Sequence, residues 1–172
     1  MVFVLLFIIA TSVGADSVME AAHCFWDDLE KQLPASRFAV AVGKVYRPWN
    51  DPMDQAQKSD VKKIYLPPYF RGAETNFQAD IALVIVTNKF ELNKYMMPVC
   101  LDFEFMFEIQ QLRSGSRGKV AGWGLTAANG NPSPVLRVVE LPFVEVGTCY
   151  INSPADFRKF ITPDKICAGT LQ

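Results

Sequence analysis

The 172-residue sequence has a single histidine, four cysteines, a formal net charge of only -1, and no apolar run long enough to form a membrane-spanning helix of roughly 20 residues. Each shortage excludes something. Seventeen basic residues against eighteen acidic ones give no electrostatic footing on nucleic acid or on an anionic membrane, so neither partner is expected. Cys24, Cys100, Cys149 and Cys167 lack the paired spacing of a zinc knuckle, and no acidic loop has a calcium-binding pattern, so neither metal nor cofactor is expected. With one histidine, any mechanism that needs an imidazole base near neutral pH must use His23.

What is present points to a folded, strand-rich chain. Half of the residues are hydrophobic, and eleven prolines and ten glycines interrupt every apolar run before it can become a long helix. Residues 37–46 place Phe38, Val40 and Val42 in period-two order, as in a half-buried strand. Pro48 to Asp60 reads as a polar surface loop, and Val61 to Leu66 as a strand halted by Pro67 and Pro68. Ile81 to Val86 is unbroken apolar sequence and reads as a strand buried on both faces. Two further strands are predicted at 118–124 and 134–146, divided by the turn residues Asn129 to Pro132. Helix is predicted only over Phe25 to Gln32 and Phe157 to Phe160. Short strands separated by turns argue for an all-β barrel or sandwich.

Met1 to Ala10 is almost wholly apolar and is followed by Val13, Gly14 and Ala15, small residues spaced like a signal-peptidase site. The expectation is a signal peptide over residues 1–15, although a buried strand would show the same run. Export would place the cysteines in an oxidising compartment, where four of them allow three pairings that the residues alone do not decide.

His23 lies in Ala21-Ala22-His23-Cys24, and Asp80 stands at the mouth of the apolar strand in Asp80-Ile81-Ala82-Leu83. A carboxylate partly buried there needs a hydrogen-bonding partner, and an imidazole N–H would serve. Taken singly, His23 suits a surface or core role and Asp80 a strand cap. Together with Pro98-Val99-Cys100-Leu101, Val120-Ala121-Gly122-Trp123-Gly124 and Ile166-Cys167-Ala168-Gly169, the two motifs resemble the trypsin and chymotrypsin type of serine protease (peptidase S1) in order and approximate spacing. The wording around Arg47-Pro48-Trp49 and Asn76-Phe77-Gln78 is similar to insect modular serine proteases of immune cascades.

This resemblance implies an all-β, incomplete chymotrypsin-like double β-barrel, with residues 16–110 in the N-terminal barrel and 111–172 in the C-terminal one. It implies a secreted serine endopeptidase acting on protein substrates or cascade partners, with His23 as general base and Asp80 orienting it. It also implies a Cys149–Cys167 disulfide, worth about 3 kcal/mol for a loop of this size, and a structural role for Trp123. Cys100 resembles a cysteine that tethers the catalytic domain to an upstream segment, and Cys24 lacks its family partner. The family's Gly-Asp-Ser-Gly-Gly nucleophile segment is not found up to Gln172, nor its activation terminus before Ala21, so the chain reads as truncated at both ends and inactive as written. The competing expectation is a non-catalytic homologue that acts by binding. The substrate-binding residues are not identified.

Overall fold

A computed structural model describes residues 15–170 except residues 95, 102 and 128. The leader predicted over residues 1–15 therefore lies, apart from Ala15, outside the described residues. Among the described residues seven strands and two short α-helices follow in chain order: β1 (Ser17–Glu20), β2 (Ala39–Val42), β3 (Gln57–Tyr65), β4 (Ala82–Val86), α1 (Phe105–Gln111), β5 (Arg117–Gly122), β6 (Arg137–Val144), α2 (Val146–Asn152) and β7 (Cys167–Ala168). They form a four-stranded sheet in the order β1-β4-β3-β2 and a three-stranded sheet in the order β5-β6-β7, with every pairing antiparallel. The all-β class and the curled, chymotrypsin-like first sheet agree with the sequence-based expectation.

The first sheet holds the core. One cluster joins Ala22, Phe25, Val61, Ile64, Phe70, Ala82 and Val84, and a second joins Val18, Val42, Val86, Phe90 and Met96. β4 sits between β1 and β3, and its inward residues alternate: Ala82, Val84 and Val86 are buried, whereas Leu83 and Ile85 are only partly covered and Ile81 is exposed. The expectation of a strand buried on both faces is thus corrected, because only one face of the curled sheet lies on packed apolar side chains.

Two other expectations are corrected. The loop predicted to run from Pro48 to Asp60 gives way to strand at Gln57, since β3 pairs with β2 from Val42↔Gln57 to Ala39↔Asp60. Polar composition hid a period of two: Ser59 and Val61 turn inward while Lys58 and Asp60 face out, and the Ser59 hydroxyl is satisfied by the Asp60 carbonyl and the Asn88 amide. The helix predicted over Phe25 to Gln32 reduces to one 3₁₀ turn, Ala22–Phe25. It stops because the Asp27 carboxylate accepts from the amides of Leu29 and Lys31, which offers the backbone a turn in place of helical bonds. The Phe157 to Phe160 helix is likewise a single 3₁₀ turn, Arg158–Phe160. β1, α1, α2 and β7 have no counterpart in the predicted elements. Glu145 caps α2, its carboxylate accepting from the Thr148 amide at 3.0 Å.

One backbone bridge, made of two hydrogen bonds, joins the sheets. Tyr46 bridges Val135, the Arg47 amide donates to the Pro134 carbonyl and the Leu136 amide to the Val45 carbonyl. Trp123 adds its indole N–H to the same Val45 carbonyl at 2.9 Å, a structural task. The segment that carries Tyr46 is anchored by a Lys44–Asp54 ion pair whose side chains are almost completely enclosed, and Asp54 also accepts from the Val45 and Tyr46 amides. Cys149 and Cys167 form a disulfide, tying α2 to β7, while Cys24 and Cys100 are free thiols.

Candidate active site

The register of β1 against β4 brings His23 and Asp80 together. Ser17 pairs with Ile85 and Glu20 with Ala82, so each step forward on β1 is matched by one step back on β4. Continued past Glu20, that register places Asp80 opposite residue 22, beside His23. The 3₁₀ turn then begins at Ala22, which is fully buried and small enough to let the turn pack onto the core. Two residues distant in sequence therefore meet where one ladder ends.

Asp80 holds His23 at two points. Its Oδ2 lies 2.6 Å from the imidazole Nδ1, and its Oδ1 accepts the His23 backbone N–H at 2.8 Å. The two side chains are 26% and 22% exposed, so the pair is shielded without being sealed. The Asp80 carboxylate, with a smaller contribution from the Cys24 thiol, pushes the imidazole from 6.5 up to about 10, burial pulling the other way. Nε2 is buried and has no hydrogen-bond partner among the described residues, and the same holds for the Trp26 indole nitrogen. The Phe77 ring meets the imidazole edge-on with centroids 6.3 Å apart.

Backbone strain concentrates in the segment that delivers Asp80. Asn76, Phe77 and Ala79 have φ of 52°, 56° and 57°. Asparagine tolerates the left-handed region, but for Phe77 and Ala79 it costs about 1–2 kcal/mol each. The Ile81 amide closes a tight turn around Asp80 onto the Ala79 carbonyl at 2.7 Å. Gly72 (φ 57°) allows the preceding 3₁₀ turn, Gly72–Thr75, to pass close to Trp26, whose Cδ1 would lie 2.9 Å from any Cβ added there.

A cavity of about 610 Å³ opens behind the pair, lined by Glu20, Tyr69, Asp80, Asp164 and Lys165 among others. Burial pushes the Glu20 carboxyl above its ordinary value, against the opposing pull of the Ala21 amide and the nearby imidazole. Among the described residues no three His, Cys, Asp or Glu side chains gather as a metal-binding group. Nor is any described helix long and apolar enough to cross a membrane. Of the four residues predicted for the site, the structure brings His23 to Asp80 and joins Cys149 to Cys167. The sequence reading missed Glu20, Phe77 and the contacts of Thr162, Asp164 and Lys165. Glu20 ends β1, a strand that its own four residues do not announce, and nothing in the sequence links residues 162–165 to the Asp80 loop.

A family model described as Trypsin matches residues 9–172. This chain belongs to the trypsin family. Its fold is that of an all-β, chymotrypsin-like member of the S1 class of serine proteases. The Modular serine protease of Drosophila melanogaster is 32% identical over 112 residues, which cover 64% of this chain and 18% of that protein. Mannan-binding lectin serine protease 1 of Mus musculus is 30% identical over 166 residues, or 91% of this chain and 22% of that protein. Clotting factor C of Tachypleus tridentatus is 29% identical over 154 residues, 88% of this chain and 15% of that protein. The chain thus spans about a fifth of the length of these curated relatives.

Proposed function

We propose that this chain carries the general-base half of a serine endopeptidase site, with His23 as proton carrier and Asp80 as the residue that fixes its tautomer. The two-point hold of Asp80 on the His23 ring and backbone supports this reading above all. It commits Nδ1 to the carboxylate and leaves Nε2 as the nitrogen free to exchange a proton. In the established triad scheme Nε2 takes the proton of an attacking serine hydroxyl and returns it to the leaving amine, while the aspartate stays ionised and stabilises the imidazolium.

No described serine offers that hydroxyl. The buried Ser59 and Ser133 spend their hydroxyls on the backbone carbonyls of Asp60 and Val135, and Ser153 bonds the Cys149 carbonyl. With no nucleophile beside His23 among the described residues, our reading is that the 172-residue chain does not hydrolyse a peptide bond on its own. Turnover of a peptide amide or an activated ester by the purified chain is expected to equal that of a His23→Ala variant. Activity abolished by that substitution would show that the chain carries its own nucleophile.

A second reading, a non-catalytic homologue acting by binding, is favoured by one observation. Among the described residues no serine hydroxyl, nor any other hydrogen-bond partner, meets His23 Nε2. A Gly-Asp-Ser-Gly-Gly segment encoded in frame beyond Gln172 would favour the protease, and its absence from the transcript the binding protein. In either case we read residues 16–110 and 111–172 as parts of two successive barrels. The disulfide and the relatives' names, among them a clotting factor and a lectin-associated protease, support an extracellular place in a proteolytic cascade of innate immunity, with protein partners.

A further inference from the structure

The strained loop that delivers Asp80 is held from outside its own sheet. The Ala79 amide donates to Asp164 Oδ2 at 2.8 Å, and Lys165 Nζ donates to the Asn76 carbonyl at 3.1 Å. Thr162 connects these two side chains, its hydroxyl donating to Asp164 Oδ1 and accepting from Lys165 Nζ, both at 2.6 Å. On the opposite flank Phe160 stacks at 6.3 Å against Phe77, the ring that meets the His23 imidazole. Two of the three left-handed residues, Asn76 and Ala79, are therefore bonded directly by residues 162–165, and the third touches the preceding 3₁₀ turn. Left-handed backbone at alanine and phenylalanine persists only where surrounding contacts over-determine it.

We propose that Thr162, Asp164 and Lys165 form a positioning clamp that keeps residues 76–79 in the left-handed conformation and so aims the Asp80 carboxylate at His23. The inference rests on the His23–Asp80 reading and adds to it a dependence on side chains more than 80 positions away. The clamp residues do not touch the imidazole. They act through the Ala79 amide and the Asn76 carbonyl, which set the direction in which the chain enters the Asp80 turn. The titratable groups that face His23 itself are Asp80, Cys24 and Glu20, and none of them is replaced in the variants below.

The test uses the intact chain, in which the single histidine makes every imidazole signal unambiguous. Proton and ¹⁵N NMR follow the His23 ring against pH in the wild type and in Asp164→Ala, Asp164→Asn and Lys165→Met. The wild type should show a strongly deshielded Nδ1 proton bonded to Asp80. In Asp164→Ala that proton should move upfield or vanish, and the titration midpoint should drop by about one unit, roughly a tenfold loss of proton affinity. Asp164→Asn, which keeps an acceptor for the Ala79 amide, should restore both, and Lys165→Met should give a smaller change in the same direction. If Asp164→Ala loses its dispersed methyl spectrum and does not fold, Lys165→Met decides alone. A folded Asp164→Ala with the wild-type proton and midpoint overturns the clamp and leaves the His–Asp pair intact. A wild-type chain with no deshielded proton and a midpoint near 6.5 overturns the pair itself, and the clamp with it.

Discussion

Replacing Asp80 with asparagine tests the His23–Asp80 pair at constant shape. The amide oxygen can still accept the His23 backbone N–H, but the amide nitrogen now faces Nδ1, which must become an unprotonated acceptor. The ring proton is displaced to Nε2, which is buried and has no acceptor among the described residues. A hydrogen bond to a charged group is worth about 1.5–3 kcal/mol, and solvent reaches roughly a quarter of this pair, so we take that range and not the full rise to about 10. At about 1.4 kcal/mol per unit, the His23 midpoint should drop by one to two units. Stability near neutral pH should drop by the same energy, or about 3–12 °C in Tm for a chain of this size. The folded imidazole binds its proton more tightly than the unfolded one, so its contribution is complete below 6.5 and is lost as pH rises through about 10. The gap in Tm between the two proteins should therefore narrow in alkaline buffer. Histidine NMR titration and thermal denaturation from pH 6 to 11 read both quantities. A midpoint near 6.5 in both proteins, with a Tm gap that ignores pH, would refute the reasoning.

Three further outcomes follow from other parts of the fold. Replacing Cys149 and Cys167 together with serine should cost about 3 kcal/mol, read as a lower urea midpoint, with added reductant lowering the wild type alike. Asp54→Ala leaves the Lys44 ammonium enclosed without its partner and should cost about 3–5 kcal/mol by the same assay. Burial opposes ionisation of Asp54, but Lys44 and the Val45 and Tyr46 amides outweigh it and hold the carboxyl below 3.8, so its contribution should be present above 3.8 and lost as pH falls through the lower folded value. Val138→Lys with Ile151→Lys, at positions 57% and 74% exposed, should reduce self-association in light scattering and change stability by less than about 0.5 kcal/mol each.

The sequence was most legible where a side chain's period and its burial coincided. β4 announced itself through an uninterrupted apolar run, and β5 and β6 through strand residues divided by Asn129 to Pro132, where Asn129 takes a positive φ. β1 was invisible because its four residues, Ser-Val-Met-Glu, have neither strong strand preference nor clear alternation, and its pairing with β4 alone makes it a strand. Gln57 to Asp60 failed for the converse reason: the residues are polar, yet the partner strand satisfies their backbone. Phe25 to Gln32 failed because the helical pattern did not weigh the ability of Asp27 to capture two amides. At the candidate site His23 and Asp80 could be singled out because the chain has one imidazole and because a carboxylate at the mouth of an apolar strand needs a partner. The order of motifs added what spacing could not.

The distribution of buried side chains bears on how the site holds together. Every buried apolar residue among the described ones lies between Val18 and Met96, and Ser133 is the only buried residue after it. The second sheet exposes Val138 and Val139 on β6, and the segments around it expose Ile151 on α2 and Ile166 before β7. His23 and the strand that leads to it are thus anchored in a packed core, whereas residues 162–165 belong to the part of the chain with the least buried surface. Local opening costs least where few apolar contacts must be broken. Both members of the His–Asp pair thus sit at the edge of the packed half, and the proposed clamp reaches them from the part with little buried surface.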